Sequence, residues 1–104
     1  MHLGKLFSEK FEAIIYLDEI NGRMKDFYDC YKLIESNVLN KMELKAAIMD
    51  TFKTRGTEPG LIPENLIKAH EHRWIAFLKK EKLGQLDLAN SIGKINQFLK
   101  ELKI

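Results

Sequence analysis

The stretch KAHEHRWIAFLKKEK, residues 68–82, gathers two histidines, a tryptophan and five basic side chains. It could hold a metal, touch nucleic acid or simply be one amphipathic helix. At about 100° per residue, His70 shares a face with Leu66, Ile67, Trp74, Phe77 and Leu78, while His72 points about 200° away beside Lys68 and Lys79. Two histidines on opposite faces cannot close on one ion, since a helix presents metal ligands at spacings of three or four. His2 has no sequence feature that brings it near either. No metal or other cofactor is therefore expected, and His70 reads as a core or boundary histidine.

Lys68 and Lys79 lie on one flank of the same helix, with Arg73 and Lys80 roughly 120° further round. This spread describes a solvated face, whereas a surface that tracks phosphates concentrates its cations and interleaves exposed aromatics. Cys30 falls near an apolar seam, which predicts a buried, inert thiol. Asp18 with Glu19 and Asp26 with Asp29 form carboxylate pairs, placed by the same wheel on the solvated side of the first helix. Exposed pairs lack the shifted pKa values that acid–base work requires. TRGTEPG, residues 54–60, has neither the Gly-Lys-Thr ending nor the preceding strand of a phosphate loop, and no serine sits in a nucleophile elbow. The expectation is that the protein is not an enzyme.

The elements that must position these residues are helical. Apolar residues recur at spacings of three and four throughout, which predicts an all-α, four-helix bundle-like single domain of 104 residues with a long N-terminal helix. Two helical halves meet at a Gly/Pro loop, residues 56–63. The steps from Ile20 through Met24, Phe27, Tyr31 and Ile34 to Val38 keep one phase across Asn21-Gly22, so one helix is expected from about Leu3 to Asn37. Asn40 with Glu43 has capping-box spacing and Gly56 follows Lys53 and Arg55, which places a second helix near 40–54. Pro63 suits a first turn, so a third helix runs from there to about Lys82, with Gly84 as its stop. The last begins near Gln85 or Asp87.

Residues 3–20 are apolar on two sides. Leu6, Ala13 and Leu17 make one seam, and Phe7, Phe11, Ile14 and Ile15 lie about 120° to 220° away from it. A small bundle with a single long first helix covers one such face. The other, supported by Tyr16 and Tyr28, is expected to meet a second copy or another protein. This makes the leading functional expectation a small non-enzymatic interaction module, an adaptor or inhibitor, acting as a homodimer.

Residues 85–102, QLDLANSIGKINQFLKEL, support the alternative. Gln85, Leu88, Ala89, Ile92 and Gly93 match the spacing of glutamine, Leu-Ala pair, apolar residue and turn glycine in the helix-turn-helix of repressor-type DNA-binding proteins, which this segment resembles. Leu99 and Leu102 fall where that family's second helix buries apolar side chains. The resemblance implies a transcriptional regulator in which Gln85 approaches a phosphate and Asn96, Gln97 and Lys100 face the major groove. Lys94 stands where the family has an apolar residue, and the unbroken heptad through Gly93 equally describes one continuous helix.

A single cysteine and no long apolar run predict a cytoplasmic protein without disulfides. The net charge of +2 calls for no nucleic-acid partner, although the first half of the chain is net acidic and the second net basic.

Overall fold

The computed structural model describes residues 3–17 and 23–104. These form five helices, α1 Leu3–Leu17, α2 Met24–Glu35, α3 Lys41–Arg55, α4 Asn65–Lys80 and α5 Leu88–Glu101. The all-α class follows from the sequence periodicity and is what the chain adopts. The expected single rod from Leu3 to Asn37 is instead two helices packed against each other. Asn21-Gly22 and Ile20 lie outside the described residues.

This reversal resolves the problem of the two-sided first helix. A helix apolar on two flanks needs two neighbours, and the chain supplies both, with α2 along one flank of α1 and α3 along another. The Phe11 ring packs at a tilt of 49° against Phe52 of α3, centroids 5.2 Å apart, and Phe7 reaches Phe98 of α5 with ring centroids 6.3 Å apart. Phe7, Phe11 and Ile14 are thereby buried in the core of one chain, and Ile15 is half-buried against it. The apolar face that called for a homodimer is covered by the chain itself. At the centre, α2 touches α1, α4 and α5 through Met24, Phe27, Cys30 and Tyr31.

The helix ends follow local chemistry. Asn40 Oδ1 accepts from the Glu43 amide at 3.0 Å, and Asp87 Oδ2 accepts from the Asn90 amide, so α3 and α5 each start on a side-chain cap. Gly56, at φ 71°, ends α3, and Thr57 N–H reaches back to the Phe52 carbonyl in a Schellman turn. The stop of α4 departs from expectation. The left-handed position is taken by Lys82 at φ 56°, with Leu83 N–H bonded to the Leu78 carbonyl, and Gly84 adopts positive φ two residues later. Pro63 precedes α4, its carbonyl accepting from the Leu66 amide.

Two long-range polar contacts fix the connections. Asn96 of α5 holds the Ile62 peptide on both sides, and Trp74 of α4 donates its Nε1 proton to the Leu86 carbonyl at 2.6 Å. Among the described residues, no helix is long and apolar enough to cross a membrane.

Candidate functional site

Where α1, α2 and α4 come together, a groove of about 670 Å³ opens between Lys10 of α1, Arg23, Lys25 and Asp26 at the start of α2, and Arg73, Phe77 and Lys80 of α4. Five basic side chains line it. They reach it from three helices, and their state of pairing differs between its two walls.

On the α1–α2 wall, Asp26 and Asp29 hold the cations. Asp26 and Arg23 are three residues apart, and Asp29 and Lys25 four, the spacings that put helix side chains side by side. Arg23 Nε lies 2.8 Å from Asp26 Oδ2 and Lys25 Nζ 2.9 Å from Asp29 Oδ2. Lys10 crosses from α1 to bridge the pair, 2.9 Å from Asp29 Oδ2 and 3.6 Å from Asp26 Oδ1. Burial works to raise the Asp29 carboxyl, but hydrogen bonds from Lys25 and Lys10 and their charges outweigh it and hold the group below the usual carboxylate range. Burial likewise works to lower Lys10, and its contacts with Asp29 and Asp26 prevail and raise it. Both groups are thus held charged.

On the α4 wall, Arg73 and Lys80 face no carboxylate within ion-pairing distance among the described residues. Arg73 Nη1 donates to Nδ1 of the buried His70 at 3.0 Å. A guanidinium can only donate, so Nδ1 is the acceptor in this contact. The His70 ring also lies 6.1 Å from that of Phe27, tilted by 55°. It is a core histidine that positions an arginine. His72 is exposed, and His2 lies outside the described residues.

A second buried carboxylate, Glu12, accepts from Arg55 Nη1 at 3.0 Å and Thr57 Oγ1 at 2.6 Å. It ties α1 to the end of α3, and both oxygens are occupied. Among the described residues, no group of three or more His, Cys, Asp or Glu is placed to hold a metal ion. Cys30 is fully enclosed, and burial above all pushes its thiol far up.

The structure corrects several expectations here. Asp26 was placed on the solvated side of the first helix and is buried, 3% exposed. The wheel assumed one continuous helix, and the reversal between α1 and α2 sets Lys10 over it. The cations of α4 belong to a groove shared with α1 and α2 as well as to a solvated face, a convergence no single-helix projection could show. The interface residues Phe7, Phe11 and Ile14 offer no surface, while Tyr16 is exposed and Tyr28 packs its ring against Trp74 and Phe77. The helix-turn-helix is absent, because α5 runs unbroken from Leu88 to Glu101 through Gly93. Gln85, Gln97 and Lys100 are exposed, but Gln85 lies before that helix and Asn96 is spent on the Ile62 peptide.

A family model described as "Nucleotidyl transferase AbiEii toxin, Type IV TA system" matches residues 1–100. Comparison with curated proteins and with solved structures gave no match. The family match overturns the readings of a non-enzymatic adaptor or inhibitor and of a DNA-binding regulator, and with them the expectation that the protein has no enzymatic role. The expectation of no enzymatic role rested on an inert Cys30, solvated carboxylate pairs and the absence of a phosphate loop and a nucleophile elbow, signatures that do not exhaust phosphoryl chemistry. With almost the whole of its length matched, the chain belongs to the AbiEii family of nucleotidyl transferase toxins of type IV toxin–antitoxin systems.

Proposed function

We propose that this protein serves nucleotidyl transfer as a toxin-family component, and that its own contribution is to hold the phosphate-bearing substrate in the groove between α1, α2 and α4. The observation that carries this reading is the convergence of Lys10, Arg23, Lys25, Arg73 and Lys80 on one concavity that Asp26 and Glu81 also line, with Arg73 and Lys80 in no ion pair among the described residues. Its volume falls within the range of small-molecule sites. In nucleotidyl transfer an acceptor oxygen attacks the α-phosphorus of a nucleoside triphosphate and pyrophosphate leaves. Charge develops on the phosphoryl oxygens, and fixed guanidinium and ammonium groups stabilise it.

Divalent cations commonly share that task. The groove's carboxylates are Asp26 and Glu81; Asp26 carries the charges of Arg23 and Lys10, and among the described residues no group of three or more His, Cys, Asp or Glu is placed to hold such an ion. No step is therefore assigned to a metal on these residues. The family name also implies an antitoxin as the protein partner of the system.

The test is label transfer from α-labelled nucleoside triphosphates to cellular RNA or protein by the purified full chain, wild type against Arg73→Glu with Lys80→Glu. Charge reversal is expected to lower transfer at least tenfold while the melting profile stays close to wild type. Undiminished transfer by the double variant would remove the groove from the reaction.

A further inference from the structure

We propose that Asp26 selects ribonucleotides in this groove, its Oδ2 accepting the 2′-hydroxyl of a nucleoside triphosphate once Arg23 has turned from the carboxylate to the phosphates. The proposal rests on the reading that the groove holds a phosphate-bearing substrate.

Asp26 is 3% exposed, and its Oδ2 is a buried oxygen without a hydrogen-bond partner among the described residues. Arg23 Nε is only 2.8 Å away, so the charge is met, but the N–H is not aligned with the oxygen and the acceptor position stays unfilled. A carboxylate buried in a folded protein normally has its lone pairs occupied, so an unfilled acceptor in the wall of a groove points to a donor that arrives with the ligand. Arg23 is the movable part. Its side chain is 53% exposed and it sits at the cap position before α2. A guanidinium exchanges one misaligned carboxylate contact for paired bonds to phosphate oxygens at a gain, because its fork matches that geometry. When Arg23 turns, Oδ2 is uncovered while Lys10, 3.6 Å from Oδ1, still balances the charge.

The remaining requirements of a nucleotide are met nearby. Arg73 and Lys80 offer the other phosphate contacts, and half-buried Phe77 with Met24 and Ala76 gives an apolar wall for the base. Carboxylate recognition of a ribose 2′-hydroxyl is an established solution on other folds. A site built to bond a hydroxyl rejects the analogue that lacks it, because the buried acceptor is then left unpaired.

The experiment is calorimetric titration of the full chain with ATP, dATP and inorganic tripolyphosphate. Wild type is expected to bind ATP at least tenfold more tightly than dATP, with tripolyphosphate retained. Asp26→Asn is expected to bring ATP down toward dATP while tripolyphosphate holds or tightens, since a negative charge leaves the groove. Should Asp26→Asn fail to fold, the wild-type ATP/dATP ratio decides alone. Equal affinity for ATP and dATP overturns the selection by Asp26 and leaves the groove intact as a phosphate site. No binding of any of the three at millimolar concentration overturns the proposal and removes the groove as a nucleotide site, whereas transfer that is lost with Arg73 and Lys80 but blind to the 2′-hydroxyl overturns only the proposal.

Discussion

Asn96 clasps the peptide of Ile62 from both sides, its Oδ1 accepting from the Ile62 amide at 2.8 Å and its Nδ2 donating to the Ile62 carbonyl at 3.0 Å. The contact spans the chain from the loop before α4 to the middle of α5, and it replaces bonds that an isolated loop would make to water. Removing it strands two backbone groups beside the buried Ile62 side chain. Asn96→Ala is therefore expected to cost about 2 kcal/mol, at roughly 1 kcal/mol for each bond lost from a partly buried site. Urea melts measure the loss. Amide exchange at Ile62 should accelerate more than exchange in α1, and an unchanged Ile62 protection would show that the clasp does not hold the loop.

Local signals were the legible part of this fold. Asn40 and Gly56 announce the ends of α3 because a cap depends only on residues three to five positions away. His70 and Trp74 could be placed inward from the periodicity of α4, which holds without interruption. Phase alone misled at the N-terminal segment, since the heptad from Met24 to Ile34 aligns with upstream residues whether or not the chain turns back. Once one helix was assumed, every tertiary consequence followed from the wrong geometry. Phe7 and Phe11 became an outward face, Asp26 became solvated, and Lys10 had no reason to approach it. The groove was illegible for the same reason, because its walls belong to three helices whose mutual placement no spacing encodes. This sequence holds no phosphate loop or nucleophile elbow from which nucleotidyl transfer could have been read.

The Lys10–Asp29 contact sets a pH dependence with two limbs. Asp29 is held below its usual range in the folded chain, so its contribution is present above the unfolded carboxylate value near 3.8 and is lost as pH falls through the lower folded value. Lys10 is raised above 10.5, so its contribution is complete below that value and is lost as pH rises through the higher folded one. Stability is expected to be flat with respect to this pair between those limits and to decline outside them. Denaturant midpoints measured from pH 2 to pH 11 check this. Asp29→Asn should lower the plateau and flatten the acid limb, and an acid limb identical to wild type would assign acid unfolding to other carboxylates.

Cys30 gives a probe of the core that needs no substitution. It is fully buried at the centre of α2, with burial and the nearby Asp26 both holding the thiol protonated. Native protein at pH 8 is expected to react with a thiol-specific reagent only as fast as the core opens. The rate should fall by orders of magnitude relative to urea-unfolded chain and rise with denaturant in step with the unfolding constant. Prompt native labelling would mean that α2 is not enclosed as described.

Phe11 separates a core role from an association surface. Its ring is enclosed between Phe7 and Phe52 with no exposed area, so it contributes to folding of the single chain. Phe11→Ala is expected to cost about 3–5 kcal/mol, the range for emptying a phenylalanine-sized volume in a packed core. Phe11→Asp should prevent folding outright, because a carboxylate there would be buried without a partner. Had the residue lain at an interface between copies, either substitution would lower the mass in sedimentation and spare the helical signal. The enclosed ring dictates the reverse order, in which far-ultraviolet ellipticity and the melting transition are lost first and any change in mass follows from unfolding. Leu6 of the same helix, half-buried at the rim, provides the comparison. Leu6→Ala removes less enclosed volume and is expected to cost less than half as much, and equal losses at the two positions would contradict the placement of Phe11 at the centre of the α1–α3 contact.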